Sequence, residues 1–282
     1  AGLGCLVGRG VRGGVLSGGA VRGRGVGARR CEAAAPDPYG RVRVGRSARA
    51  RGGLRGGYLG AVMDVRRGDA RYRGGDAGQG IETLHSFSFG PHYDPDNLRF
   101  GALIACNEER LAPGAGFDEH PHSHTEIVTW VVSGELTHRD SAGHETVVRP
   151  GDVQCLSSAA GVRHVERNAG DVPLVFLQMW LAPLDPGGDP SYEIVRGIAD
   201  STPYAVPRAG AMLHVRRLST AGERIAVPHT GLGYVHVVRG EVRLAETELT
   251  AGDALRLSAE GELELVAVGG AAEVLMWEMD AA

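Results

Sequence analysis

The chain has 282 residues, enough for one large domain or two modest ones, and 43% of them are hydrophobic, an ordinary share for a globular protein. Its net charge of -4 is uneven, because residues 1–62 hold twelve arginines against Glu32 and Asp37. The remainder therefore carries about -14, and such an acidic body argues against nucleic acid as a ligand of the folded part.

Cysteine usage and apolar runs bear on the compartment of the protein. The four cysteines show no paired or metal-binding spacing. No apolar run reaches the roughly 18 residues that span a membrane, and the first residues lack the apolar segment of a secretory signal. We therefore expect a protein of the reducing cytoplasm that makes no membrane contact.

Residues 1–62 are rich in glycine and arginine and show almost no hydrophobic periodicity. Such a composition cannot bury enough apolar surface to offset chain entropy, so disorder is predicted. One interpretation is an RNA-binding tail of RGG type. Because the first methionine is Met63, where ordinary sequence begins, we favour an artefactual or untranslated extension that lies outside the fold.

The chain after Met63 alternates with period two and is interrupted by glycine-centred turns, as expected for strands. A tight turn is predicted at Asp140 to Gly143 and another at Pro150 to Asp152. The predicted strands cover residues 84–89, 100–105, 127–132, 136–139, 146–148, 153–156 and 174–181. Many short strands at this spacing indicate an all-β barrel or sandwich.

The second half of the chain repeats the layout of the first. Gly240 after a β-branched run corresponds to Gly134, and the turn ending at Asp253 corresponds to the one ending at Asp152. This internal repeat predicts two copies of one barrel. The predicted organisation is an extension at 1–62, a first barrel at 63–182, a Pro/Gly-rich linker at 183–208 and a second barrel at 209–282.

Two short motifs in the first barrel carry metal-ligand residues. His120 and His122 are two residues apart, as are His164 and Glu166, so each pair projects to one face of an extended strand. The 42 residues from His122 to His164 allow three or four strands, and a small antiparallel barrel could bring both pairs to its mouth. Imidazole and carboxylate suit iron(II), manganese, nickel, zinc or copper, so a single divalent metal is predicted.

The second barrel lacks an equivalent pair. His229 and His236 are seven residues apart and so have opposite strand parity, and no His-x-Glu follows Asp253. We expect this barrel to be structural.

These motifs resemble those of the cupin superfamily. Gly114, His120, His122, Glu126 and Gly134 follow the first cupin motif, with one extra residue before the closing glycine. The second motif is matched by Ala159, Gly161, His164 and Asn168, with Ala where Pro is common.

Within that superfamily the chain looks like a pirin, a bicupin. The resemblance covers about residues 63–280 and is densest in the first barrel. It rests on residues 84–89, 93–95, 116–117, 120–122, 138–141, 150–154 and 161–166.

The pirin resemblance implies one metal in the N-terminal barrel, usually iron(II), held by three histidines and one glutamate. Carried onto this sequence, the ligands are His120, His122, His164 and Glu166. Glu126 is not a ligand in that family, although the general cupin motif would make it one. The departures from the family are His124, where pirins vary, and the Gly/Arg-rich N-terminus.

Two functional hypotheses follow from this resemblance. The leading one is a quercetin 2,3-dioxygenase-like enzyme that acts on a flavonol or other small aromatic enol or diol with O2. The metal would lower the pKa of the substrate hydroxyl, and Glu166 or Glu126 would take its proton. The alternative is a non-enzymatic, iron-bound redox sensor that binds a protein partner.

Four further residues have expected places. His138 is expected to be exposed in a hairpin, and His124 to sit beyond the metal. His85 and Phe87 are expected either to line the pocket mouth or to pack in the core.

Overall fold

The computed structural model describes residues 62–228, 231–258 and 262–280. The predictions for residues 1–61 and for His229 fall outside these ranges. Four single 3-10 turns, at Gly68–Ala70, Ala77–Gln79, Pro95–Asn97 and Pro207–Ala209, are the helices of the described chain. No helix among the described residues is long and apolar enough to cross a bilayer.

Twenty-one strands account for the regular structure of the described residues. The first twelve are β1 (Val62–Arg66), β2 (Tyr72–Asp76), β3 (Ile81–His85), β4 (Leu103–Leu111), β5 (Gly116–His122), β6 (Glu126–Ser133), β7 (Leu136–Asp140), β8 (Glu145–Val148), β9 (Val153–Ser157), β10 (Val162–Arg167), β11 (Leu174–Leu181) and β12 (Ser191–Val195). The others are β13 (Pro203–Val206), β14 (Ala211–Leu218), β15 (Arg224–Ala226), β16 (Leu232–Arg239), β17 (Glu241–Leu244), β18 (Thr247–Thr250), β19 (Ala254–Ser258), β20 (Glu264–Ala267) and β21 (Ala272–Met279).

The strands form two barrels of the same topology, each made of a large and a small antiparallel sheet. The first barrel has the sheet orders β12-β9-β6-β11-β4-β3-β2 and β5-β10-β7-β8. The second has β1-β19-β16-β21-β14-β13 and β15-β20-β17-β18, which is the same order apart from the extra strand β2. The predicted all-β fold of two tandem barrels is confirmed.

Three strands differ from the predicted domain organisation. β1 precedes the first barrel but pairs with β19 of the second, from Arg66 opposite Ala254 to Val62 opposite Ser258. The segment 183–208, predicted as a linker, contains β12, which pairs with β9 of the first barrel, and β13, which pairs with β14. The Pro/Gly-rich composition of the segment indicated a linker, but edge strands tolerate such residues, so the composition did not exclude strands there.

The hydrophobic core has an inter-barrel part and parts within each barrel. The two large sheets pack against each other through one cluster that includes Trp130 and Met179 of the first barrel and Tyr234 and Trp277 of the second. A second cluster, of aliphatic side chains, fills the second barrel. In the first barrel, smaller apolar clusters leave room for polar side chains.

Candidate metal centre

Strand pairing brings the two predicted ligand motifs together. β5 and β10 are antiparallel neighbours, with His164 opposite His120 and Val162 opposite His122. On its other edge β10 pairs with β7, where Glu166 lies opposite His138. Residues distant in sequence therefore share one wall of the first barrel.

The three histidine side chains converge at the mouth of that barrel. His120, His122 and His164 each offer a nitrogen within 4.8 Å of the other two. Nε2 of His120 lies 3.0 Å from Nε2 of His164. Two nitrogens bound about 2.1 Å from one ion, in directions at right angles, would be about 3.0 Å apart, so this spacing fits adjacent ligands of one metal.

The hydrogen bonds leave Nε2 of His120 and Nε2 of His122 available to bind a metal. His120 Nδ1 lies 2.7 Å from the carbonyl oxygen of Asp118, to which it must donate, so its Nε2 carries a lone pair. Nε2 of His122 is buried and has no hydrogen-bond partner among the described residues. A divalent cation would satisfy both nitrogens.

The electrostatics also favour metal binding. Burial, followed by the neighbouring histidines, lowers the pKa of His122 to about 3. Burial and His120 likewise lower the pKa of His164 to about 3. Both imidazoles are therefore neutral at physiological pH, the state in which they bind metals.

Glu166 belongs to an adjoining inner cluster with His138 and His164, whose ligand atoms also lie within 4.8 Å of one another. Its Oε2 accepts a hydrogen bond of 2.7 Å from Gln178, and its Oε1 is buried without a partner in the described chain. Burial raises the pKa of this carboxyl. The two clusters share His164, so they are the outer and inner parts of one pocket.

Glu126 lies apart from this pocket. Its Oε1 accepts hydrogen bonds from Ser157 Oγ at 2.9 Å and from Arg208 Nε at 3.0 Å. It precedes Ile127, which packs beside Val162 in the first barrel, so strand alternation turns Glu126 to the opposite face. The structure gives it an ion pair instead of the predicted catalytic position.

The expectation that His138 is exposed is wrong. Its side chain is fully buried and stacks on Tyr192, with ring centroids 4.8 Å apart. The signal in the sequence was parity: His138 and Asp140 share the face of the buried Leu136. A hairpin assignment made without that parity placed the ring in solvent.

The structure also shows the positions of the His124, Phe87 and His85 side chains. His124 is exposed with a positive φ of 57°. Phe87 is core and packs against Tyr234 of the second barrel. His85 is buried and stacks on Phe89, which contacts Trp180 beside His122.

The interior of the first barrel is polar where that of the second is apolar. Strand register identifies equivalent positions in the two barrels. Thr129 of the first barrel lies opposite Gln154 and Gln178. At the equivalent place in the second barrel, Val235 lies opposite Leu255 and Met276. By the same register, His138 and Glu166 correspond to Leu244 and Leu265. Buried polar groups need partners, so this interior is built for polar chemistry.

An open cavity of about 400 Å³ adjoins His122. It is lined by His122, Ser123, Ser141, Gly161 and Arg163, among others. Small-molecule sites have volumes of roughly 300–1,000 Å³, so the cavity can admit a compact organic ligand beside the candidate metal position.

Comparison with known proteins agrees with this architecture. The family profile described as Pirin matches residues 67–181, and that of a quercetinase C-terminal cupin domain matches residues 211–279. A Mycobacterium tuberculosis protein named as a candidate quercetin 2,3-dioxygenase is 36% identical over 239 residues, covering 78% of this chain and 96% of that protein. A pirin-like protein of Caulobacter vibrioides is 32% identical over 213 residues, covering 70% and 91%.

One similar solved structure is a bacterial pirin, YhhW of Escherichia coli, in complex with nickel(II). It has a TM-score of 0.70 and 27% sequence identity, and the match covers 78% of this chain and all of that one. A quercetin 2,3-dioxygenase of Escherichia coli is 38% identical over 114 residues, which is 40% of this chain and 49% of that protein.

Proposed function

This chain belongs to the pirin family, and from that premise we propose that it is a metal-dependent dioxygenase of quercetin 2,3-dioxygenase type. Its substrate would be a flavonol or another small aromatic enol or diol, oxidised with O2. The observation that carries the proposal is the convergence of three histidines beside an open cavity, above a polar barrel interior.

The proposed metal ligands are His120, His122 and His164, with Oε1 of Glu166 completing the set. This donor set of three nitrogens and one oxygen suits iron(II), which we propose, and also nickel, manganese, zinc or copper. A relative described in complex with nickel(II) supports a divalent ion in a protein of this family. When bound, the ion would polarise the substrate hydroxyl and lower its pKa.

The residues of the chain would bind, orient and deprotonate the substrate. The cavity beside His122 would receive the aromatic ring of the substrate next to the histidine cluster. Glu166 is the proposed proton acceptor because burial raises the pKa of its carboxyl, and Gln178 holds its Oε2 in place. Glu126 has no part in this scheme because Arg208 and Ser157 engage its carboxylate.

Metal content and oxygen uptake test the proposal together. We expect about one iron(II) per chain in the wild type and oxygen consumption with quercetin well above that of metal-free protein. His122→Ala should lose most of the metal and the activity, because it removes a directional bond and admits water. His124→Asn is the matched control, since it keeps the positive φ at an exposed position two residues away.

Full metal occupancy with no oxygen uptake above the metal-free level would contradict the enzyme and favour a metal-bound sensor. Equal metal content in wild type and His122→Ala would contradict the site itself.

A further inference from the structure

The inner part of the pocket contains a histidine that the proposed function does not use. His138 Nε2 lies 3.3 Å from Oδ2 of Asp140, and Oδ1 of that carboxylate accepts the backbone N–H groups of Ala142 and His144. A carboxylate held this way can only accept, so Nε2 of His138 carries a proton. In the neutral ring, Nδ1 therefore presents a lone pair to the pocket.

Nε2 of His164 faces Nε2 of His120 at the mouth, 3.0 Å away, so Nδ1 of His164 is the nitrogen turned toward the inner cluster. In the part of the chain that the structure describes, His138 Nδ1, His164 Nδ1 and Glu166 Oε1 are all buried and all lack a hydrogen-bond partner.

Buried polar atoms without a partner are costly, so these three are expected to bond to one another or to a metal ion. If Nε2 of His164 held the metal, its neutral ring would carry its proton on Nδ1. That N–H would need an acceptor. Metal-bound histidines usually donate their second N–H to such a group, which fixes the orientation of the ring.

We propose that His138, held by Asp140, is the positioning residue that accepts the Nδ1 proton of metal-bound His164. The ring centroids of His138 and His164 are 5.3 Å apart, and a nitrogen of each ring lies within 4.8 Å of one of the other, so His138 is a direct neighbour of His164 in the inner cluster. Glu166 is taken up as a ligand, which leaves His138 as the acceptor. This inference rests on the proposed metal centre.

The chain offers a matched control for this role. Tyr192 is stacked between His138 and His144, with ring centroids 4.8 and 4.9 Å away. His144 also bonds Oδ2 of Asp140, at 2.8 Å, but lies on the side away from His164. His144 therefore shares the aromatic stack and the carboxylate of His138 without facing the metal pocket.

Two substitutions at His138 separate an acceptor from a packing role. His138→Phe keeps a ring on Tyr192 but removes the lone pair, whereas His138→Asn removes the ring but keeps an oxygen near the position of Nδ1. We expect His138→Phe to weaken nickel(II) binding about 10–100-fold, measured by competition with a chelator. His138→Asn and His144→Phe should stay within about threefold of the wild type.

Several results would overturn the inference. Unchanged affinity in His138→Phe would show that the packing of the ring is all that matters. Equal losses in His138→Phe and His138→Asn would show that an acceptor at this position does not restore binding. Wild-type protein that binds no nickel(II) would overturn the metal centre and this inference with it. Wild-type binding with an unaffected His138→Phe would overturn the inference alone.

A second measurement on the wild type needs no substitution. Nitrogen-15 NMR of the zinc-loaded protein should show His164 protonated at Nδ1 and His138 protonated at Nε2, in slow exchange with solvent. The opposite tautomer at His138, with the proton on Nδ1, would overturn the proposal whatever the variants do.

Discussion

Buried histidines in this protein have different roles according to what surrounds them. His236 lies in the large sheet of the second barrel, on the side that faces the first barrel, near Arg71 and Glu108. Burial, followed by the charge of Arg71, lowers its pKa to about 4. It is far from the proposed ligands in sequence and belongs to neither histidine cluster, so its protonation should affect stability rather than metal binding.

The depressed pKa of His236 predicts acid sensitivity. The unfolded state takes up the proton near pH 6.5 and the folded state only near pH 4, so stability is fully present above pH 6.5 and is lost as pH falls toward 4. Between pH 7 and pH 5 this one group should cost about 2 kcal/mol. His236→Gln should remove that part of the pH dependence.

The measurement is denaturant unfolding of both proteins at pH 7 and pH 5, with a chelator present so that metal does not contribute. Other buried histidines titrate equally in both proteins and cancel in the difference. Equal losses of unfolding free energy in wild type and His236→Gln would show that His236 does not titrate in this range.

At the scale of elements, two equivalent turns each hold an edge strand, β12 in the first barrel and β1 in the second. Asp152 accepts hydrogen bonds from the backbone of Gly197, at 3.0 Å, and from the side chain of Arg196, at 2.7 Å, just after β12. Asp253 does the same for Gly68 and Arg67, both at 2.7 Å, just after β1. Each aspartate therefore holds an edge strand onto the barrel that receives it.

This equivalence predicts a reciprocal effect of two substitutions. Asp253→Asn should loosen β1 and leave β12 unchanged, and Asp152→Asn should do the reverse, because an amide replaces one acceptor oxygen with a donor. Each should cost about 1–3 kcal/mol of local stability. Hydrogen exchange of amides in the two strands reports the opening of each strand separately.

If either substitution increased exchange in both strands equally, the turns would act on global stability and not as local fasteners.

The closing glycine of each repeat shows why this layout could be read from the sequence. Gly134 has a φ of 78°, and a Cβ there would lie 2.8 Å from the carbonyl oxygen of Pro173. Gly240 has almost the same φ, 79°, at the equivalent turn. A turn that only glycine can adopt is recognisable in the sequence. An edge strand accepts many residues, so no particular residue identifies it.

At the scale of the whole molecule, the two barrels share one apolar cluster. Trp130 of the first barrel donates to Glu273 of the second at 3.0 Å, and Trp277 of the second barrel contacts the sulfur of Met179 in the first at 3.2 Å. Because both large sheets contribute to the same core, separating the barrels would expose it. The barrels should therefore unfold together.

This shared core predicts that metal binding in the first barrel stabilises the second. Free nickel(II) at about 100 times its Kd should add about 2.7 kcal/mol to the free energy of unfolding. Fluorescence, to which Trp277 in the second barrel contributes, and far-ultraviolet circular dichroism should report one transition that moves as a unit.

His122→Ala is the control, because it should not respond to nickel(II). Two transitions, of which only one moves with the metal, would show that the barrels unfold independently.

The sequence by itself determined the fold class, the internal repeat and the shared strand face within each of the pairs His120/His122 and His164/Glu166. These features depend on local rules: period-two alternation, turns that require glycine, and candidate ligands two residues apart on one strand face. The same parity rule, applied from Leu136, would also have turned His138 inward.

Tertiary structure decided what depends on strand neighbours. The pairing of β10 with β7 places His138 opposite Glu166, and the ion pair with Arg208 takes Glu126 out of the pocket. The crossing of β1 into the second barrel is likewise a long-range pairing. Alternation along one strand determines to which face of the sheet a side chain points. Only the pairing of strands in the assembled sheet determines which residues that side chain contacts.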